Sequence, residues 1–109
     1  MKEIVFTRRF ERDFRRLKRR LSPHVLDYET LEYVFELLQR GNSLPEAFRE
    51  HGLEGEYAGF TECHIDADWL LIYRLTRSAI VFHRTGTHRE LFRPRRVSVL
   101  RPARRRRRR

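Results

Sequence analysis

The sequence predicts an α+β fold: an N-terminal strand, a two-helix antiparallel hairpin and a three-stranded antiparallel meander, making a sheet of about four strands with the helices on one face. Three observations predict it. Apolar residues recur at helical spacing between Phe6 and Leu38. From Tyr57 onward the period becomes that of strands, and the breaks inside this second half, Asp66-Ala67-Asp68 and Arg77-Ser78, are short enough for hairpins.

Residues 2–6 alternate partly and run into Thr7, which is suited to cap a helix, so a strand leads into the first helix. Phe6, Phe10, Phe14, Leu17 and Leu21 follow at helical spacing with arginines between them, which describes an amphipathic helix with a core stripe and a basic outer face. Ser22-Pro23 stops this helix and caps a second one running to Gly41. Tyr28, Leu31, Phe35 and Leu38, joined by Val34, form its apolar face, while Asp27, Glu29, Glu32 and Glu36 point elsewhere. Residues 42–55 connect the halves through Pro45, Gly52 and Gly55, with a helical turn at 45–50. Strands are predicted over 57–65, 69–76 and 79–85, and a terminal helical turn over 89–92.

The chain of 109 residues has room for one domain with a modest core, not for two. Its net charge of +10 is unevenly placed: residues 93–109 hold ten arginines and no acid, so the first 92 residues carry 15 basic and 15 acidic side chains. The division is therefore a domain over 1–92 and a basic tail over 93–109 that lacks the apolar residues to fold and is expected to be disordered. Within the domain, Arg8, Arg9, Arg12, Arg15, Arg16, Lys18, Arg19 and Arg20 crowd the first helix, whereas residues 27–56 are rich in acids. Such a basic segment neutralises phosphates or docks on an acidic protein. No apolar run approaches a membrane span, no secretory signal opens the chain, and the single Cys63 forms neither an internal disulfide nor a multi-cysteine zinc site. These features lead us to expect a cytoplasmic protein.

In a meander, His64, the Asp68 turn and His88 fall at one rim of the sheet, and His51 joins them through the connection before it. Metal-free ribonuclease chemistry needs a group to take the ribose 2′-hydroxyl proton, a group to protonate the leaving 5′-oxygen, and positive charge on the phosphate. Histidine supplies the first two because both of its protonation states are accessible near neutrality. Asp68 serves as base or holds an imidazole in one tautomer, Arg84 stabilises the phosphate, and Trp69 and Phe92 stack on bases. The diffuse spacing has no tight metal-ligand signature, so neither a metal nor another cofactor is expected. A non-enzymatic RNA- or ribosome-binding module is the alternative reading, one that explains the arginines but not the clustering of ionisable groups.

Three ordered blocks carry a resemblance: Glu50-His51-Gly52-Leu53-Glu54-Gly55, then Cys63-His64-Ile65-Asp66-Ala67-Asp68-Trp69-Leu70-Leu71-Ile72-Tyr73, then Arg84-Thr85-Gly86-Thr87-His88-Arg89-Glu90-Leu91-Phe92. Together they resemble the YafQ branch of the RelE-like mRNA interferase toxins, and the likeness extends from the first strand to Phe92. The resemblance implies a RelE-like fold and a toxin of a type II toxin-antitoxin pair that cleaves mRNA on the ribosome without a metal. It implies catalytic positions at His51, His64, Asp68 and His88, with Trp69 and Phe92 shaping the RNA pocket. In this scheme Asp68 or His64 is the base, His88 the acid, and His51 with Arg84 attends the phosphate. A cognate antitoxin is the implied protein partner, and Arg12, Arg15, Arg16 and Arg19 are the expected contacts to RNA, with no membrane and no small-molecule cofactor.

Overall fold

The computed structural model describes residues 1–20 and 27–92. Strand β1 (Glu3–Phe6) is followed by helices α1 (Arg8–Arg20) and α2 (Tyr28–Gln39), then β2 (His51–Gly52), β3 (Thr61–Asp66), β4 (Trp69–Leu75), β5 (Ala79–Gly86) and the short helix α3 (His88–Leu91). The sheet has five strands in the order β1-β5-β4-β3-β2. The meander of β3, β4 and β5 is antiparallel as expected, whereas β1 lies parallel to β5, with Glu3 opposite Ala79.

Thr7 joins β1 to α1. Its Oγ1 accepts a hydrogen bond from the Phe10 amide at 3.0 Å and donates to the His83 carbonyl at 3.1 Å, so the cap also ties the helix to β5. The α1 stripe reaches the core through Phe10 and Leu17, with Phe14 packed beside them. In α2, Leu31, Val34 and Leu38 are buried and Phe35 half-buried, whereas Tyr28 is exposed. The described part of α2 is capped by Asp27, whose carboxylate accepts from the Thr30 amide at 3.0 Å. The expected Ser22-Pro23 boundary and the apolar Leu21 lie outside the described residues, as does the tail predicted over 93–109.

The structure corrects the sequence reading in the connection. The strand predicted to begin at residue 57 begins at Thr61, and Gly55–Tyr57 form a 3-10 turn. Tyr57 is nonetheless buried, because this segment folds over the second face of the sheet, where Tyr57, Leu70, Ile72 and Leu91 form a smaller core with Leu53 and Phe60. Strand β4 is thus buried on both faces: Trp69, Leu71 and Tyr73 face the two long helices, and Leu70 and Ile72 face the connection. The additional strand β2 has two residues and pairs His51 with Glu62 and Gly52 with Thr61. The outer edge of β3 from His64 to Asp66 consequently has no pairing strand among the described residues. No described helix is long and apolar enough to cross a membrane.

Candidate active site

Glu62 and His64 are two residues apart on β3 and therefore share a face, the one turned away from α1 and α2. The pairing of β2 with β3 sets His51 opposite Glu62. One oxygen of the buried Glu62 carboxylate, Oε1, lies 3.2 Å from His51 Nε2 and 3.4 Å from His64 Nε2. His51 Nδ1 is 2.7 Å from the Arg49 carbonyl, which can only accept, so that nitrogen carries a proton. The Nε2 of His51 is turned to the Glu62 carboxylate, so the ring is held from both sides, by a backbone carbonyl and by a buried acid.

His88 arrives from the other side. Strand β5 returns the chain to the Asp68 end of β4, with Leu70 opposite Gly86. Thr87 then starts α3 with a capping box: its hydroxyl accepts from the Glu90 amide, and the Glu90 carboxylate accepts from the Thr87 amide. The backbone amide and Nδ1 of His88 both lie 2.8 Å from Asp68 Oδ1. The carboxylate thus fixes the tautomer, with the proton on Nδ1 and Nε2 left to face outward. The His64 and His88 rings are 5.4 Å apart between centroids, and those of His51 and His64 are 6.3 Å apart. Three imidazoles therefore stand in a row with a carboxylate behind each end.

A bulge sharpens this arrangement. Between His64 and Asp66 the register with β4 shifts by one residue, so Ile65 is the extra residue on β3 and the strand turns as it reaches Asp68. Burial holds the His64 imidazole below its ordinary pKa; Glu62 opposes this, and the charges of Arg49, His88 and His51 add to it. Hydrogen bonds from His88, the backbone one first, hold Asp68 below the usual carboxylate range. Phe92 is exposed at the same rim, its ring 6.5 Å from that of His88.

Six of the expected RNA contacts lie away from the row of imidazoles, two in the interior and four on α1. Arg84 is buried: its Nε and Nη2 donate to the Asp13 carboxylate at 2.6 and 3.2 Å, and its Nη1 donates to the Tyr57 hydroxyl at 3.1 Å. The guanidinium is filled by protein partners rather than open to a phosphate. Tyr57 in turn donates to the Leu91 carbonyl at 3.3 Å, so this network runs from α1 to the helix that carries His88. Trp69 is 3% exposed, stacks on Phe14 and donates from Nε1 to the Thr85 hydroxyl, so it is a core residue rather than a stacking platform for bases. Arg12, Arg15, Arg16 and Arg19 are exposed on α1, which packs on the face opposite the imidazoles, so they form a separate basic surface. Arg16 also pairs with Asp13 at 3.4 Å.

The sequence pattern does not single out Glu62, although its place two residues before His64 on a strand is the signal that could have found it. His83, set aside as mid-strand, is the extra residue of a second bulge and stacks on Phe60 at 4.6 Å, away from the row of imidazoles. Among the described residues no group of three or more His, Cys, Asp or Glu side chains is arranged to hold a metal ion.

A sheet with one parallel edge thus lies under two helices and gathers imidazoles and carboxylates at its rim. The family model described as the bacterial toxin of the type II toxin-antitoxin system, YafQ, matches residues 2–93, and the chain belongs to that family. It is 33% identical over 92 residues to the mRNA interferase toxin YafQ of Escherichia coli strain K12, covering 84% of this chain and 96% of the relative. Among solved structures it is similar to the toxin in the E. coli DinJ-YafQ complex, with a TM-score of 0.71 and 32% identity over 84% of this chain and 99% of that one. A copper-bound mutant toxin from Helicobacter pylori gives a TM-score of 0.75 and 30% identity over 84% and 100% of the two chains.

Proposed function

We propose that this toxin is a ribosome-dependent endoribonuclease that cuts mRNA by attack of a ribose 2′-hydroxyl on the adjacent phosphate, without a metal ion. The observation that carries the reading is the pair His64 and His88, 5.4 Å apart, one held toward its neutral form and the other fixed by Asp68. His64, with burial disfavouring its cation, takes the 2′-hydroxyl proton. The 2′-oxygen then bonds to phosphorus. The phosphorus to 5′-oxygen bond breaks as protonated His88 gives its Nε2 proton to the leaving oxygen. The products are a 2′,3′-cyclic phosphate and a 5′-hydroxyl. His51, held by Glu62, stands at one end of the row.

An mRNA interferase of this kind acts where messages are translated, which places the protein in the cytoplasm beside ribosomes. The domain over 1–92 carries the activity, and the arginines of α1 supply salt-dependent attachment to RNA. A cognate antitoxin protein is the expected inhibitor; the related E. coli toxin is seen complexed with DinJ. The test is to incubate ribosomes programmed with a defined mRNA and to map ends with and without chelator. Chelator-insensitive cuts ending in cyclic phosphate, abolished by a 2′-deoxy residue at the cut and reduced about 10²–10⁴-fold by His88→Ala, are expected. Binding without cuts would make the protein a non-enzymatic RNA-binding module instead.

A further inference from the structure

We propose that Arg49 is the residue that neutralises the scissile phosphate, a role that rests on the ribonuclease reading above. That reaction needs a cation next to the imidazoles, and Arg84 is occupied by Asp13 and Tyr57. Arg49 is a cation close enough to act on the His64 ring. It precedes β2 by two residues, and its carbonyl orients the His51 ring at 2.7 Å. Its guanidinium has no acidic partner among the described residues, in contrast to Arg16, Arg20, Arg40 and Arg84.

Two further observations bring it to the substrate. Arg49 and His64 line one groove of about 490 Å³, walled by Thr30, Phe48, Asp66 and Ala67 along the unpaired edge of β3. That volume lies within the range of roughly 300–1,000 Å³ typical of ligand sites, and the groove opens at His64, the middle imidazole of the row. Arg49 also has a φ of 52°, a left-handed conformation uncommon outside glycine, fixed by its amide donating to the Glu46 carbonyl at 3.0 Å. This residue ends the 3-10 turn Glu46–Phe48, and Phe48 and Arg49 both line the groove. A nucleotide on the groove thus has its scissile phosphate beside His64, with Arg49 on one side and His88 on the other, where a guanidinium stabilises charge that grows in the pentavalent state.

The test compares Arg49→Asn, which removes the charge but tolerates the left-handed backbone, with Arg49→Lys, which keeps the charge, and with Arg77→Ala in the turn at the far end of the sheet. Single-turnover cleavage is measured on ribosome-bound mRNA carrying either phosphorothioate diastereomer at the cut. The expected result is a loss of about 100-fold or more for Arg49→Asn, less than about tenfold for Arg49→Lys, and wild-type rates for Arg77→Ala. The discrimination between diastereomers seen with wild type should shrink in Arg49→Asn, while its thermal unfolding stays unchanged. Wild-type cleavage by Arg49→Asn, or a slow variant that keeps full diastereomer discrimination, overturns the proposal while leaving the ribonuclease reading intact. If the wild-type protein makes no cuts, the two fall together.

Discussion

The carboxylate of Asp13 and the guanidinium of Arg84, 71 positions apart in the chain, meet through two hydrogen bonds and fasten α1 to β5. Asp13 also accepts from the Thr85 amide at 3.2 Å, so one buried acid satisfies a side chain and a strand at once. Because both partners are withdrawn from water, removing the Asp13 charge leaves the Arg84 guanidinium in the interior without its acid.

Asp13→Asn should therefore lower the unfolding free energy by about 3–5 kcal/mol, and Asp13→Leu combined with Arg84→Met should recover much of it. Urea unfolding of the three proteins measures both effects. Arg84→Lys provides the contrast: a structural role predicts that any loss of cleavage follows loss of stability, whereas lost cleavage at unchanged stability would return Arg84 to the phosphate.

His64 gives a pH signature. Its folded pKa lies below the ordinary 6.5, chiefly through burial, so the unfolded chain binds more protons between the two values. The stability linked to this group is present in full above pH 6.5 and is lost as pH falls through the lowered value. The same titration should set the acid limb of the cleavage rate, with its midpoint below 6.5. Glu62→Gln removes a charge that raises the His64 pKa, so the limb should move to still lower pH in that variant. An NMR titration of the His64 ring that stays put in Glu62→Gln would refute the coupling.

Asp68 acts in the acid range. Hydrogen bonds from His88 hold its carboxyl below the ordinary 3.8, so its contribution is present above that pH and is lost as pH falls through the lowered value. Asp68→Asn should flatten that part of the stability curve. It should also release the His88 ring and cut cleavage sharply, since nothing else described fixes its Nδ1. Full activity in Asp68→Asn would show that the tautomer is set some other way.

Cys63 on β3 is fully buried in the core beneath the helices, and burial is the main cause that pushes its thiol up to about 12. The thiolate is the reactive form. Iodoacetamide at neutral pH should accordingly leave the native protein unmodified while labelling it fully in denaturant. Rapid native labelling, followed by mass spectrometry, would reveal opening of the sheet at β3.

How much of this was legible in the sequence depends on whether a local pattern or a long-range partner decides each position. Phe10 and Leu17 on α1, and Leu31, Val34 and Leu38 on α2, are written in a helical period, and the hairpin breaks around Asp68 and Ser78 are written in turn residues. The gathering of His64, Asp68 and His88 follows from counting antiparallel strands. Tyr57 misled because an aromatic residue covering a sheet looks, in one dimension, like one inside it. Arg84 and Trp69 misled because their partners, Asp13 and Phe14, belong to a helix that no local signal connects with them. The role of Glu62 depends on its pairing with β2, a strand of two residues too short to leave a periodic trace.

Strand β5 comes last in the chain but lies between β1 and β4, and its pairing with β1 joins Glu3 to Ala79. Closing so long a loop comes late in folding because its entropy is lost before the contacts repay it. Until that central strand is seated, α3 has no anchor and His88 is not delivered to Asp68. On the proposed mechanism a half-made toxin is harmless, because the pairing of His88 with Asp68 waits until nearly all of the folded body has been synthesised.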